Sequence, residues 1–261
     1  MSGPLAGKRV VVTRPPEDAM PLVAMLRERG AETFVIPTVA IEPLADRTPL
    51  VNSISRLREG AYDWLVLTSS NSCSALADAS VESWATSSFK VAAIGDRTAT
   101  AALRFLKLRA DFMPVTASAL GLANELPISA GEHVLLPQSD IAPPVLAQSL
   151  RSRGAAVDVV TAYRTTQRVL LDNERDLLRS GAFDAVVFAS PSAVRGFAQA
   201  ISPSGPEPDA ITICIGPKTT HAAHLAGFSR VATAAKPGTA SLLEVVENAL
   251  QSERRMKEVI G

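Results

Sequence analysis

The chain has 261 residues, 26 basic and 26 acidic side chains, and 47% apolar residues. That length holds one large domain or two small ones, and the composition excludes disorder, collagen and coiled coil. Zero formal charge argues against a protein that wraps nucleic acid or lies on anionic lipid, while leaving room for a small anionic ligand held by local charge.

Two cysteines, Cys73 and Cys214, are too few and too far apart for a disulfide framework or a zinc site, which favours a reduced, cytoplasmic setting. The segment Met1 to Lys8 lacks the apolar stretch of a signal peptide, and no uncharged run reaches membrane-spanning length, so a soluble protein is expected. Aromatic residues make up 5%, too few to favour a surface that works by stacking on bases or sugars.

In chain order, the β-branched run Lys8 to Thr13 predicts a strand buried on both faces. After Thr13-Arg14-Pro15-Pro16, Leu22, Met25 and Leu26 fall at helical spacing, and Gly30 supplies a left-handed stop. Further strands are predicted at Phe34 to Ile36, Trp64 to Leu67, Val91 to Ile94, Val134 to Leu136, Val157 to Val160, Ala185 to Phe188 and Ile211 to Ile215. Ser-, Thr- or Gly-rich turns and Ala/Leu-rich helices follow these runs, the pattern of parallel βα units. Ile36 to Leu44 and Val160 to Arg168 read as crossings between two sheets, and Gln251 to Gly261 as a frayed helix end.

The second half of the chain restates the first. Tyr62-Asp63-Trp64-Leu65-Val66-Leu67-Thr68-Ser69 is echoed by Phe183-Asp184-Ala185-Val186-Val187-Phe188-Ala189-Ser190 at an offset of 121. Ala93-Ile94-Gly95-Asp96-Arg97-Thr98 is echoed by Cys214-Ile215-Gly216-Pro217-Lys218-Thr219 at the same offset. Val10 to Val12, Leu26 and Gly30 correspond to Val134 to Leu136, Leu150 and Gly154 at an offset of 124. A period of this size means two copies of a domain-sized α/β unit.

In such sheets ligands bind beyond the carboxyl ends of the strands, where helix N-termini present free N–H groups. The turns selected are Thr13-Arg14, Thr68 to Asn71, Gly95 to Thr98, Pro137 to Asp140, Ser190 to Ser192 and Gly216 to Thr219. Any one of them serves equally well as a plain helix cap; six together point to an anionic ligand, with Arg14, Arg97, Lys218 and Lys236 supplying charge. No dinucleotide fingerprint or P-loop is present, and Gly216-Pro217-Lys218-Thr219 is too short for one. His221 and His224 have no neighbours that complete a metal set, His133 lies at a strand start, and both cysteines read as packing residues. Catalysis by this chain would rest on positioning and hydrogen bonding. Tyr163 breaks the repeat, since Val39 stands at the matching position; it suits a packed linker tyrosine as well as a functional one.

The ordered set Val11-Val12-Thr13-Arg14-Pro15, Leu67 to Asn71, Ile94 to Thr98, Val160-Thr161-Ala162-Tyr163-Arg164-Thr165, Phe188 to Val194, Ile215 to Thr219 and Lys236-Pro237-Gly238-Thr239 resembles the uroporphyrinogen-III synthase family, from about Val10 to Leu250. The resemblance implies two similar doubly wound parallel-sheet domains (flavodoxin-like) joined by a two-stranded linker, with the ligand cleft between them. It places residues 1–38 and 166–261 in domain one and 39–165 in domain two. It implies a cytoplasmic, cofactor-independent hydro-lyase of tetrapyrrole biosynthesis that cyclises hydroxymethylbilane to uroporphyrinogen III with loss of water and inversion of ring D. Tyr163 matches the tyrosine favoured as catalytic, and Arg14, Ser69, Thr98, Ser190 and Thr219 match substrate-binding positions. No metal, organic cofactor, nucleic acid or membrane is implied; the partner is a linear tetrapyrrole, met by a monomer in transient contact with the preceding pathway enzyme. The competing reading is a non-catalytic two-domain module that binds anions or tetrapyrroles with the same turns.

Overall fold

A computed structural model describes residues 3–80, 84, 88–202 and 209–260, with side chains through 252. The chain divides into two compact units, Met1–Ala40 with Gln167–Gly261, and Ile41–Thr166. The first unit opens with β1 (Arg9–Val12), α1 (Pro16–Glu28) and β2 (Glu32–Val35), after which β3 (Val39–Glu42) leads into the second. There follow α2 (Thr48–Arg58), β4 (Trp64–Leu67), α3 (Ser70–Ala79), β5 (Lys90–Ala93), α4 (Asp96–Ala101) with a π-helical turn over Ala102–Leu106, α5 (Ala119–Glu125), β6 (His133–Ser139) and α6 (Val145–Ser152). The long strand β7 (Ala156–Gln167) returns the chain to the first unit. That unit closes with α7 (Asp172–Ser180), β8 (Ala185–Phe188), α8 (Pro191–Ile201), β9 (Ile211–Cys214), α9 (Pro217–Leu225), β10 (Val231–Thr233) and α10 (Thr239–Ile260).

In the first unit the sheet order is β10-β9-β8-β1-β2, with parallel pairing throughout. Side-chain alternation along β1 sorts the core into two layers. Val10 and Val12 pack with Leu22 and Leu26 of α1 and Leu242 and Val246 of α10. Val11 packs on the other face with Leu178, Val194 and Phe197, where Phe188, Phe197 and Phe228 form edge-on or tilted ring contacts at 5.3–5.9 Å. The chain leaves β2 along the side of α8: Thr38 Oγ1 donates to the Ala193 carbonyl at 2.8 Å, and Arg168 N–H donates to the Thr38 carbonyl at 3.2 Å.

In the second unit the order is β3-β7-β6-β4-β5, with β4, β5, β6 and β7 in parallel. Leu65, Leu67, Leu135, Val160 and Ala162 face α2 and α3, while Trp64, Val66, Val134, Leu136 and Val157 face α5 and α6.

The repeat has a physical basis at the strand starts. Asp63 donates its N–H to the His133 carbonyl at 2.9 Å, and its carboxylate accepts the His133 N–H at 2.7 Å. Asp184 makes the same pair of contacts with Arg9, at 2.8 and 2.8 Å. The carbonyls of Asp63 and Asp184 also accept from Lys90 and Ile211 of the next strand, at 2.8 and 2.9 Å. One aspartate per unit thus fastens the starts of three strands. Gly30 and Gly154 both end their helices at φ +90, a conformation that glycine adopts without steric cost.

Strands β4 and β8 coincide with the predicted runs, and the others overlap theirs. β10 has no predicted counterpart, being a three-residue edge strand that is partly exposed, and β3, an edge strand of the other sheet, falls within the segment Ile36 to Leu44 read as a crossing. At the C-terminus α10 continues to Ile260, and Gly261 lies outside the described residues.

Candidate active site

Strand order reverses between β1 and β8 in one unit and between β6 and β4 in the other. Ligands of open α/β sheets bind beyond the carboxyl ends of strands at such switch points. These are the turns that hold Thr13, Arg14 and Ser190 in the first unit, and Ser69, Ser139 and Asp140 in the second.

In the second unit, Ser69 begins α3 in extended conformation, and its hydroxyl accepts the Ser72 N–H at 3.1 Å, an ordinary N-cap. The same oxygen lies 3.0 Å from the phenolic oxygen of Tyr163 and 3.0 Å from Ser72 Oγ. Ser72 is fully buried, and its hydroxyl donates to the Pro137 carbonyl at 2.9 Å. Tyr163 itself is 7% exposed. Burial pushes its pKa above the ordinary tyrosine value; hydrogen bonding with Ser69 and Asn71 pulls it partly back, and the charge of Asp140 adds to the rise. The phenol therefore keeps its proton at neutral pH.

Tyr163 meets Ser69 because β7 carries a bulge. Along β6, Gln138 pairs with Thr161 but Ser139 pairs with Tyr163, so Ala162 is an extra residue. Without it, alternation would turn Tyr163 toward the face of Val157; with it, Val160, Ala162 and Tyr163 share one core. Asp140 clamps the bulge from the β6 turn. Its N–H donates to the Tyr163 carbonyl at 3.1 Å, and its carboxylate accepts from Thr165 N–H at 2.9 Å and Ser139 Oγ at 3.0 Å. Desolvation is the largest single influence on Asp140 and opposes its charge, but the hydrogen bonds from Thr165, Ser139 and Ile141 together with Arg164 hold its carboxyl below the usual aspartate value.

Thr98 lies in the first turn of α4 and is 5% exposed; the Cys73 thiol joins it to the Ser69 turn, contacting the carbonyls of Ser69 at 3.6 Å and Thr98 at 3.8 Å. In the first unit, the N–H and hydroxyl of Thr13 both donate to the Val187 carbonyl, at 3.2 and 2.8 Å, which ties the end of β1 to β8 and sets Arg14 beside that strand. Arg14 is 9% exposed. Ser190 caps α8 with the same backbone angles as Ser69, accepts the Ala193 N–H at 3.2 Å and contacts Ser192 Oγ at 2.9 Å. Thr219, 3% exposed, occupies the first turn of α9, as Thr98 does that of α4. Lys218, Lys236 and Arg97 are exposed on the adjoining turns.

The sequence passes over Ser72, and it offers Asp140 only as the end of a strand-end turn, with no link to Tyr163. Ser72 had a signal, because the repeat places Ala193 at the matching position and a buried hydroxyl in one copy calls for a reason. The bulge had none, since it depends on the register of a partner strand.

Burial pushes the Cys73 thiol up to about 12 and the Cys214 thiol up to about 11, so neither is a nucleophile at neutral pH. His221 and His224 are exposed on α9. Among the described residues no three His, Cys, Asp or Glu side chains are grouped to hold a metal, and no helix is long and apolar enough to cross a membrane.

Residues 21–244 match the family described as uroporphyrinogen-III synthase HemD. The chain is 30% identical over 234 residues to a porphyrin biosynthesis protein HemD of Ruminiclostridium josui, spanning 85% of this chain and 45% of that protein. It is 31% identical over 202 residues to a uroporphyrinogen-III synthase of Synechococcus elongatus, spanning 75% of each. Its fold is similar to a mutant uroporphyrinogen III synthase of Thermus thermophilus (TM-score 0.61, 18% identity, 94% of this chain and 100% of that one). A Helicobacter pylori uroporphyrinogen-III synthetase gives a TM-score of 0.57 at 17% identity, with 92% and 99% covered. With a family match across most of its length and an α/β fold of parallel sheets shared with solved members, the chain belongs to the uroporphyrinogen-III synthase HemD family of tetrapyrrole biosynthesis.

Proposed function

We propose that the chain closes hydroxymethylbilane to uroporphyrinogen III, with loss of one water and inversion of ring D, as a cofactor-independent cytoplasmic hydro-lyase acting as a monomer. The observation that carries this reading beyond family membership is the protonated Tyr163 phenol held against the Ser69 cap. The first unit has the strand order 2-1-3-4-5 counted from its own first strand, and β4, β5, β6 and β7 of the second give the first four positions of the same order, 2-1-3-4, with the Ala92–Phe112 bridge outside β5. That order supports a pair of flavodoxin-like domains, with β3 and β7 as the two-stranded linker.

The reaction needs little acid strength, because departure of the terminal hydroxyl leaves a resonance-stabilised azafulvenium. Tyr163 gives its proton to the leaving oxygen as the C–O bond breaks, so water departs. Ring D then attacks the methylene carbon through its substituted position, giving a spirocyclic pyrrolenine that opens and recloses with ring D inverted. The proton lost when the last pyrrole regains aromaticity returns to the Tyr163 oxygen. The larger task is to hold the end rings for attack at the substituted carbon, since the free substrate closes to the uninverted isomer. N–H groups and hydroxyls of the strand-end turns, with Arg14, Thr98, Ser190 and Thr219 and with Ser69 through the N–H groups of the helix start that it caps, would bind the substrate's acetate and propionate groups.

The test is to add purified protein to freshly generated hydroxymethylbilane and separate the oxidised product isomers. Isomer III is expected to dominate. Isomer I dominating with protein in excess defeats the proposal, and tight binding of the product without that change would mark a non-catalytic tetrapyrrole-binding module.

A further inference from the structure

We infer that Ser72, buried on α3 behind Tyr163, is a positioning residue that fixes which way the Tyr163 hydroxyl points. The inference rests on the reading of Tyr163 as the acid, but the direction of the hydroxyl is a separate physical claim. The contacts have one consistent polarity. Ser72 Oγ lies 2.9 Å from the Pro137 carbonyl, and a carbonyl oxygen accepts only, so the single Ser72 proton goes there. The 3.0 Å contact between Ser69 Oγ and Ser72 Oγ must then take its proton from Ser69. With that proton committed, Ser69 faces Tyr163 at 3.0 Å as an acceptor, in addition to accepting the Ser72 amide. Tyr163 is left as the donor to Ser69, and Asn71, its other side-chain hydrogen-bond partner, gives its amide N–H to the phenolic oxygen. The row runs from Tyr163 through Ser69 and Ser72 to the Pro137 carbonyl, and a carbonyl at its end sets direction without carrying a proton away.

The resting phenol thus turns its proton toward the core. It releases that proton only to an acceptor stronger than a serine hydroxyl, such as a leaving oxygen gaining negative charge, because charge-assisted hydrogen bonds are about twice as strong as neutral ones. The contact is then made in the transition state and not in the ground state, which raises kcat without tightening substrate binding. Removing the Ser72 hydroxyl frees the Ser69 proton to turn toward Tyr163 and pushes the phenolic proton outward.

Tyr62 and Tyr163 are the chain's two tyrosines, so Tyr62→Phe leaves Tyr163 as the sole tyrosine signal. The Raman tyrosine doublet of that protein is expected to show a hydrogen-bond donor. Adding Ser72→Ala shifts the doublet toward the acceptor pattern, whereas Ser74→Ala, on the same helix, leaves it unchanged. An acceptor pattern with Ser72 intact overturns the inference, even where Ser72→Ala fails to fold. So does a folded Ser72→Ala protein with the doublet unchanged. In the isomer assay Ser72→Ala lowers kcat and KM together, since an outward proton also binds the substrate ground state; a fall in kcat/KM of about tenfold or more at unchanged KM counts against positioning. If Tyr163→Phe proves fully active, the acid reading fails while the doublet still reports the hydroxyl's direction.

Discussion

The hydroxyl oxygen of Ser69 lies 3.0 Å from the phenolic oxygen of Tyr163, although the two are 94 residues apart in the chain. One serine oxygen therefore caps a helix and holds the phenol. Whatever fixes the start of α3 also fixes the phenol.

Tyr163→Phe keeps the ring in its core and removes only the hydroxyl. Turnover is expected to fall by about a hundredfold, the lower range for loss of a general acid, with the thermal melt within a few degrees of the parent. Steady-state assay of isomer III together with calorimetry checks both parts.

Asp63 and Asp184 fasten the strand starts of their units, so each is a stability residue with no part in the chemistry. Asp184→Ala leaves Arg9 N–H without its carboxylate acceptor and Lys8 without its partner at 2.7 Å, and Asp63→Ala does the same for His133 N–H. Each is expected to cost about 1–3 kcal/mol. Urea unfolding should show lowered midpoints for both, while the ratio of isomers formed by the folded fraction stays unchanged.

Gly196 sits where α8 meets the exit from β2. A Cβ there would lie 2.5 Å from the Thr38 carbonyl oxygen, which is itself held by Arg168 N–H. Gly196→Ala is expected to destabilise by about 1–3 kcal/mol, as overpacking does, or to displace the Thr38 segment. Hydrogen exchange at Arg168 would accelerate in the second case.

Alkaline pH should weaken the fold through its buried thiols. Cys73 and Cys214, with an ordinary value of 9.0, are pushed up by burial to about 12 and about 11. Between these limits the unfolded chain has released protons that the folded chain still holds, so unfolding gains from rising pH. The stabilising contribution is complete below pH 9 and is lost as pH rises through 11 and 12. Tyr62, raised to about 12 by burial and by Asp158, acts in the same direction from its ordinary 10.0. Urea midpoints from about pH 8 to 11 should decline, less steeply in Cys73→Ala. A flat profile would show that the thiols ionise equally in both states.

The α/β class and the repeat were legible because the same residues perform the same task twice: an aspartate at each strand start, a serine cap at each switch point, a glycine at each helix end. The edge strand β10 was not, since a partly exposed strand of three residues gives little signal, and β3 was legible only as part of a crossing. At the site, Ser69 and Tyr163 were visible singly, but their contact was not. It depends on an extra residue, Ala162, whose effect appears only against the register of β6. Ser72 stands out only against Ala193 at the matching repeat position, and what its hydroxyl does appears only when it is seen to reach the Pro137 carbonyl.

The hydrogen bond from Arg168 to Thr38 brings together two points of the first unit that are 130 residues apart in sequence. Topologically, residues 41–166 are an insertion into a host whose cut ends already touch. Excising them and joining the ends with a short glycine-containing turn should leave the host strands β2-β1-β8-β9-β10 in place as one continuous chain. Cutting the sequence at its midpoint would instead strand β6 and β7 from β4 and β5, because the boundary of the sequence repeat and the boundary of the folded unit fall in different places.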